Sequence, residues 1–135
     1  MTQDEMLNVI NELYATSGAG DFDSAEKLLH DDLVIVEADG LPMAGTYRGK
    51  SALRDLFTQV MGMIEVAGLR RVETTTGGDY AVTILYFEFA DPSLKPAHLC
   101  ELFRFKDGKV CEITPYYFDP ATMVAAHEAF KRKHS

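Results

Sequence analysis

The sequence predicts an α+β fold: a curved antiparallel sheet wrapped as a cone around three helices gathered near the N-terminus. Three observations predict it. Apolar residues recur at helical spacing in the first 30 residues and again over residues 51–63. The second half reads as strands punctuated by two tight turn signals. No helices alternate with those strands, which argues against a parallel βαβ sheet. At 135 residues the chain reads as one domain over residues 1–135, with a core fold over 1–119 and a helical tail over 120–135.

In the first helix, Met6, Leu7, Ile10, Leu13 and Tyr14 form one apolar stripe, and Gly18 and Gly20 end it. A short second helix follows, with Asp23 or Ser24 as its cap and Leu28 and Leu29 facing inward. Leu33 to Glu37 is a β-branched run and reads as a strand; Asp39-Gly40-Leu41-Pro42 breaks it. The third helix runs from Ser51 to Met63, its apolar face made by Leu53, Leu56, Phe57, Val60, Met61 and Ile64. Strands Leu69–Thr76 and Tyr80–Ala90 flank Gly77-Gly78-Asp79, and strands Ala97–Lys106 and Val110–Phe118 flank Asp107-Gly108. Asp119-Pro120 stops the last strand, and Ala121 to Lys133 has helical composition.

Composition excludes several classes. Lys and Arg total 13 against 21 Asp and Glu, a net charge of −8, and no basic stripe exists to neutralise phosphates. Nucleic acid and anionic membranes are therefore excluded as partners. No apolar run is long enough to cross a membrane, and the acidic start is unlike a secretory signal, so the expectation is a cytoplasmic protein. Two cysteines, Cys100 and Cys111, lack CxxC or zinc spacing, so no metal site and no cofactor is expected. The Asp107-Gly108 turn would set Cys100 opposite Thr114 or Pro115, keeping the two thiols apart. The four histidines are scattered and read as surface residues.

Strand parity picks out the chemistry. In Ala97–Lys106, Glu101 shares a face with Leu99, Phe103 and Phe105, while Arg104 falls on the other face. A carboxyl on an apolar face is poorly hydrated and holds its proton to higher pH, which suits it to acid–base work. Glu37, at its strand's end, shares a face with Leu33 and Ile35. Phe57, Met61, Phe87, Phe103 and Tyr117 are candidates for a pocket wall, though each taken singly reads first as ordinary core. Tyr14 and Tyr117 need a partner for a buried hydroxyl, and a carboxyl of Glu37 or Glu101 could supply it.

Several local patterns in this order resemble the nuclear-transport-factor-2-like superfamily, in its SnoaL-like and ketosteroid-isomerase-like branch with a cystatin-like fold. They are Gly20-Asp21-Phe22-Asp23, His30-Asp31-Asp32, the stretch from Pro42 to Gly49, and Phe103-Arg104-Phe105-Lys106-Asp107-Gly108-Lys109-Val110. The resemblance implies that Glu37 stands where such isomerases keep a carboxylate base. It implies that Glu101 stands where they keep a protonated acid facing the substrate oxygen. Their oxyanion tyrosine falls on Leu13 in an ungapped count, with Tyr14 one residue on. Phe57, Phe87 and Tyr117 match positions of the family's pocket wall.

Two functions follow. One is a cofactor-independent isomerase, cyclase or dehydratase acting on a small apolar, polyketide-like or steroid-like molecule, with Glu37, Glu101 and Tyr14 as its catalytic residues. The other is a non-catalytic module for a hydrophobic ligand or for dimerisation. The resemblance also implies a homodimer through the sheet, to which the Val82, Ile84 and Tyr86 face would contribute.

Overall fold

The computed structural model describes residues 1–135. Helix α1 spans Gln3–Gly18 and begins with a capping box that the sequence reading missed. The Glu5 N–H donates to Thr2 Oγ1 at 3.1 Å, and the Thr2 N–H donates to Glu5 Oε1 at 2.8 Å. Both bonds satisfy donors that a helix start leaves unpaired. Met6, Ile10 and Leu13 are its buried stripe. Helix α2 is short, Phe22–Glu26, and is capped by Asp21, whose carboxylate accepts the Ser24 N–H at 3.2 Å. Asp21, not Asp23 or Ser24, takes that place because Phe22 is already the first helical residue.

Strand β1 spans Leu29–Glu37, β2 Gly45–Arg48, α3 Ala52–Met61, β3 Val66–Gly77, β4 Tyr80–Phe89, β5 Ala97–Lys106, β6 Lys109–Tyr117 and α4 Ala121–Lys133. The six strands form one open, curved sheet in the order β2-β1-β6-β5-β4-β3. Every neighbour is antiparallel except β1 and β6, which run parallel. The sheet is thus mixed, where the sequence reading had it antiparallel throughout. A parallel neighbour needs a long crossover, and everything from β2 to β5 lies between these two strands. Helix α1 lies against β3 and β4, and α3 lies against β1 and β2, so the helices fill the concave side. The core there includes Met6, Ile10, Leu33, Ile35, Leu56 and Phe103.

Two irregularities decide which side chains share a face. At the β5–β6 turn, Asp107 and Gly108 both have positive φ, 54° and 77°, as a two-residue turn of this hand requires. Phe105 pairs with Val110 but Arg104 pairs with Glu112, so Cys111 is an extra, bulged residue. That bulge moves Cys100 opposite Tyr116, correcting the expected Thr114 or Pro115; both thiols are free. On β3, Arg71 pairs with Leu85 and Glu73 with Ile84, which makes Val72 a second bulge. It resets the alternation between Arg71 and Thr74.

Candidate functional site

A row of side chains crosses the concave face. Thr74 of β3 pairs with Thr83 of β4, Thr83 with Glu101 of β5, and Glu101 with Pro115 of β6. On the other side of β6, Ile35 pairs with Ile113. Carrying that parallel register two residues further sets Glu37 beside Pro115. The two glutamates therefore flank one proline across three adjacent strands. Pro115 has no N–H, and the β1–β6 ladder ends at Ile35, two residues before Glu37. Parity predicted the faces correctly: Leu33, Ile35 and Glu37 are buried along β1, as are Leu99, Phe103 and Phe105 beside Glu101.

Glu37 is 5% exposed, and its Oε1 has no hydrogen-bond partner. Burial, then the Glu101 charge, pushes its carboxyl up to about 8. Glu101 keeps some accessible surface but is closely surrounded by protein, as a residue on the floor of a concavity would be. Burial raises it as well, and a hydrogen bond donated by the Tyr14 hydroxyl to Glu101 Oε1 partly offsets the rise. The two carboxyls differ in one respect: Glu101 has a donor that stabilises its anion, and Glu37 has none. A close pair of carboxyls resists double ionisation, so the first negative charge falls on the member whose anion accepts a hydrogen bond. That member is Glu101. Glu37 then holds its proton at neutral pH.

Tyrosines surround the pair. Burial, followed by the charge of Glu101, pushes the Tyr14 hydroxyl far up, so it stays a donor. Tyr117 is raised well above its ordinary range by burial, then by Glu37 and Glu101. Tyr47, on β2 opposite Ile35, is raised by burial and then by Glu37, and its hydroxyl donates to the Met43 carbonyl at 2.7 Å.

The SnoaL-like domain family matches residues 10–113, most of the chain. The chain belongs to that SnoaL-like family. Solved structures agree at the level of fold. A nuclear-transport-factor-2-like protein from Burkholderia xenovorans LB400 is 20% identical, with a TM-score of 0.79 over 94% of this chain and 98% of that one. TerC, co-crystallised with polyporic acid, is 18% identical, with a TM-score of 0.75 over 92% and 98%. A protein from Sinorhizobium meliloti assigned as a polyketide cyclase is 18% identical, with a TM-score of 0.67 over 86% and 100%. Among curated proteins no sequence matches significantly.

Within this SnoaL-like fold the expected site residues divide. Tyr14, Glu37, Glu101 and Tyr117 are brought together. Leu13 is 4% exposed in the core, so Tyr14 is the residue of α1 that reaches Glu101. Phe103 is buried with its ring edge-on to Tyr14 at 5.9 Å, and Phe87 lies 6.2 Å from Tyr117. Phe57 instead packs on Phe22 at 5.2 Å, between α3 and α2. Met61 corrects the sequence reading: it is 73% exposed, because α3 ends there and Gly62 turns the chain away. Neither of two surface cavities contains the glutamate pair. One, of about 300 Å³, lies between α4 and the Ala90–Leu94 segment; the other, of about 390 Å³, lies at the β5–β6 turn.

Sequence reasoning missed Tyr47, Thr83 and Arg71. Tyr47 fell in a stretch read as loop. Thr83 could have been found by pairing it with Glu101 across the β4–β5 register. Arg71 could not, because its face depends on the Val72 bulge.

Proposed function

We propose that this SnoaL-like protein is a cofactor-independent acid–base catalyst that moves a proton to or from carbon in a small, oxygenated, mostly apolar molecule. Isomerisation, aldol-type cyclisation and dehydration all fall within that chemistry. The observation that carries the reading is a pair of shielded carboxyls with no cation to balance either one. Left unpaired, such groups are costly to keep in a core. Their placement is understandable if the site uses a proton.

The hydrogen bonding favours a division of labour opposite to the one the resemblance implied. Glu101, with Tyr14 on its Oε1, is the carboxylate that takes a proton from a carbon beside a carbonyl. Glu37, protonated, donates to the carbonyl oxygen as negative charge develops there. The resulting enol either regains a proton at another carbon or attacks a second carbonyl. Proton transfer by a placed group contributes about 10²–10⁴-fold in rate. Phe87 and Tyr117 supply an aromatic wall for the apolar part of the substrate. The polyporic acid co-crystallised with TerC and the polyketide cyclase assignment of the Sinorhizobium protein support a polyketide-like substrate.

The test is solvent deuterium uptake. The protein is mixed with a panel of diketones, unsaturated ketones and hydroxyquinones in D₂O, and exchange at carbon is followed by NMR. The reading expects catalysed exchange in at least one compound, falling about 100-fold or more in Glu101→Gln. A compound that binds at the pair with no catalysed exchange at carbon would instead establish a non-catalytic binding module.

The same proposal includes a homodimer through the convex face. Val82, Ile84 and Tyr86 are half-buried there, next to Tyr116 and Phe118, which are 59% and 83% exposed. A second copy would cover that apolar surface. A cytoplasmic setting belongs to the proposal too, and it suits two free thiols. No helix is long and apolar enough to cross a membrane.

A further inference from the structure

We propose that Thr83, with Thr74 behind it and Arg71 against the tyrosine ring, is a positioning residue that holds Tyr14 as the donor to Glu101 and so places the pair's single negative charge on Glu101. The inference rests on the acid–base reading above and names the residues that impose its asymmetry.

Thr83 is fully buried on β4, directly across from Glu101. Its Oγ1 lies 2.9 Å from Thr74 Oγ1 on the neighbouring strand. Its place across from Glu101 on the concave face sets the Thr83 hydroxyl beside the Tyr14–Glu101 hydrogen bond. A tyrosine hydroxyl has one hydrogen and lone pairs to accept with. With that hydrogen given to Glu101 Oε1, its lone pairs are what Thr83 can meet. The proposed order of donors is Thr74 to Thr83 to Tyr14 to Glu101, built on the Thr74–Thr83 and Tyr14–Glu101 contacts at its two ends. Each bond polarises the next, which makes Tyr14 a stronger donor than an isolated phenol. Run in reverse, the chain would leave the Thr74 hydroxyl with no protein acceptor.

Arg71 acts on the same hydroxyl from outside. Its guanidinium stands 4.6 Å from the centre of the Tyr14 ring and is held there by Asn11 Oδ1 at 2.9 Å. A cation over a phenol ring draws electron density from it and favours giving up the O–H hydrogen. Arg71 and Thr74 are three residues apart, so regular alternation would put them on opposite faces. The bulge at Val72 brings both to the side where Tyr14 lies. The groups facing Glu101 are thus Tyr14 from α1, Glu37 from β1 and Tyr117 from β6, with Arg71 of β3 acting through the Tyr14 ring. Glu37 has no comparable support, and its Oε1 has no partner at all.

The experiment is a ¹³C NMR titration of the glutamate side-chain carboxyls in the full chain, compared among wild type, Thr83→Val, Thr83→Ser and Arg71→Leu. The expected result is a Glu101 midpoint raised by about one pH unit in Thr83→Val and raised in Arg71→Leu, with Thr83→Ser close to wild type. The Glu37 midpoint should fall as the Glu101 midpoint rises, because the repelling charge forms later. A purely structural role for Thr83 would not be rescued by serine in this readout. Should Thr83→Val not fold, Arg71→Leu on the exposed β3 edge decides alone. A wild type with raised midpoints whose variants leave Glu101 unmoved overturns this inference and spares the acid–base reading. A wild type in which both glutamates titrate as ordinary carboxyls overturns both.

Discussion

Glu37 links the stability of the fold to pH. Its carboxyl is raised from an ordinary value near 4.5 to about 8 in the folded state. A group raised by folding stabilises the fold while both states are protonated, and that contribution is lost as pH rises through the folded value. The loss therefore spreads over about pH 4.5 to 8, and a shift of this size is worth on the order of 5 kcal/mol. Thermal melts should show Tm falling from pH 5.5 to pH 8.5, with a distinctly flatter profile in Glu37→Gln. Equal slopes in the two proteins would show that Glu37 ionises freely in the fold. Both glutamates were legible from alternation alone, since their apolar neighbours lie two residues away on the same strand. The contact between Tyr14 and Glu101 was not, because it joins a helix to a strand 87 positions later and depends on how α1 sits on the sheet. The division of roles was not legible either. It depends on which carboxyl has a donor, and that is a property of packing.

At the scale of elements, turns and bulges do the sorting. Gly108 sits at φ 77°, where any side chain is strained whatever the space around it. Gly108→Ala should cost about 1–2 kcal/mol in chemical denaturation, while an unchanged midpoint would mean the turn can adopt another form. Strand β5 matches its sequence-read limits because Pro96 and Asp107-Gly108 bound it, and α4 matches as well, its start set by Asp119-Pro120. Strand β2 went unseen: four residues at a sheet edge carry too little alternation to register. The bulges at Val72 and Cys111 also left no local signal. Each is defined by the partner strand's register, and the Cys111 bulge is why the expected opposite number of Cys100 was wrong. The parallel pairing of β1 with β6 is likewise a matter of tertiary assembly. Without it, Glu37 would have no place beside Pro115 and hence none beside Glu101.

At the scale of the molecule, the concave and convex faces of the sheet make opposite demands. The concave face is filled by α1 and α3. The convex face carries a row that runs from Arg70 over Tyr86 at 4.4 Å, to His98 stacked on Tyr86 at 4.5 Å, to Phe118 at 6.1 Å from His98. Covering that row with a second copy should give a light-scattering mass of twice the 15.0 kDa chain at micromolar concentration. The mass of a single chain there would remove the dimer from the account. The fold class, the helix order and the family resemblance were all readable from the sequence, because patterning and turn chemistry point the same way. What ties the two faces to function is the glutamate pair, and its charge state is the central claim. The most direct test is the carboxyl titration of the unmodified protein. Glu37 should titrate near 8, with Glu101 losing its proton first but above the ordinary range. Two midpoints near 4.5, or Glu37 ionising before Glu101, would contradict it.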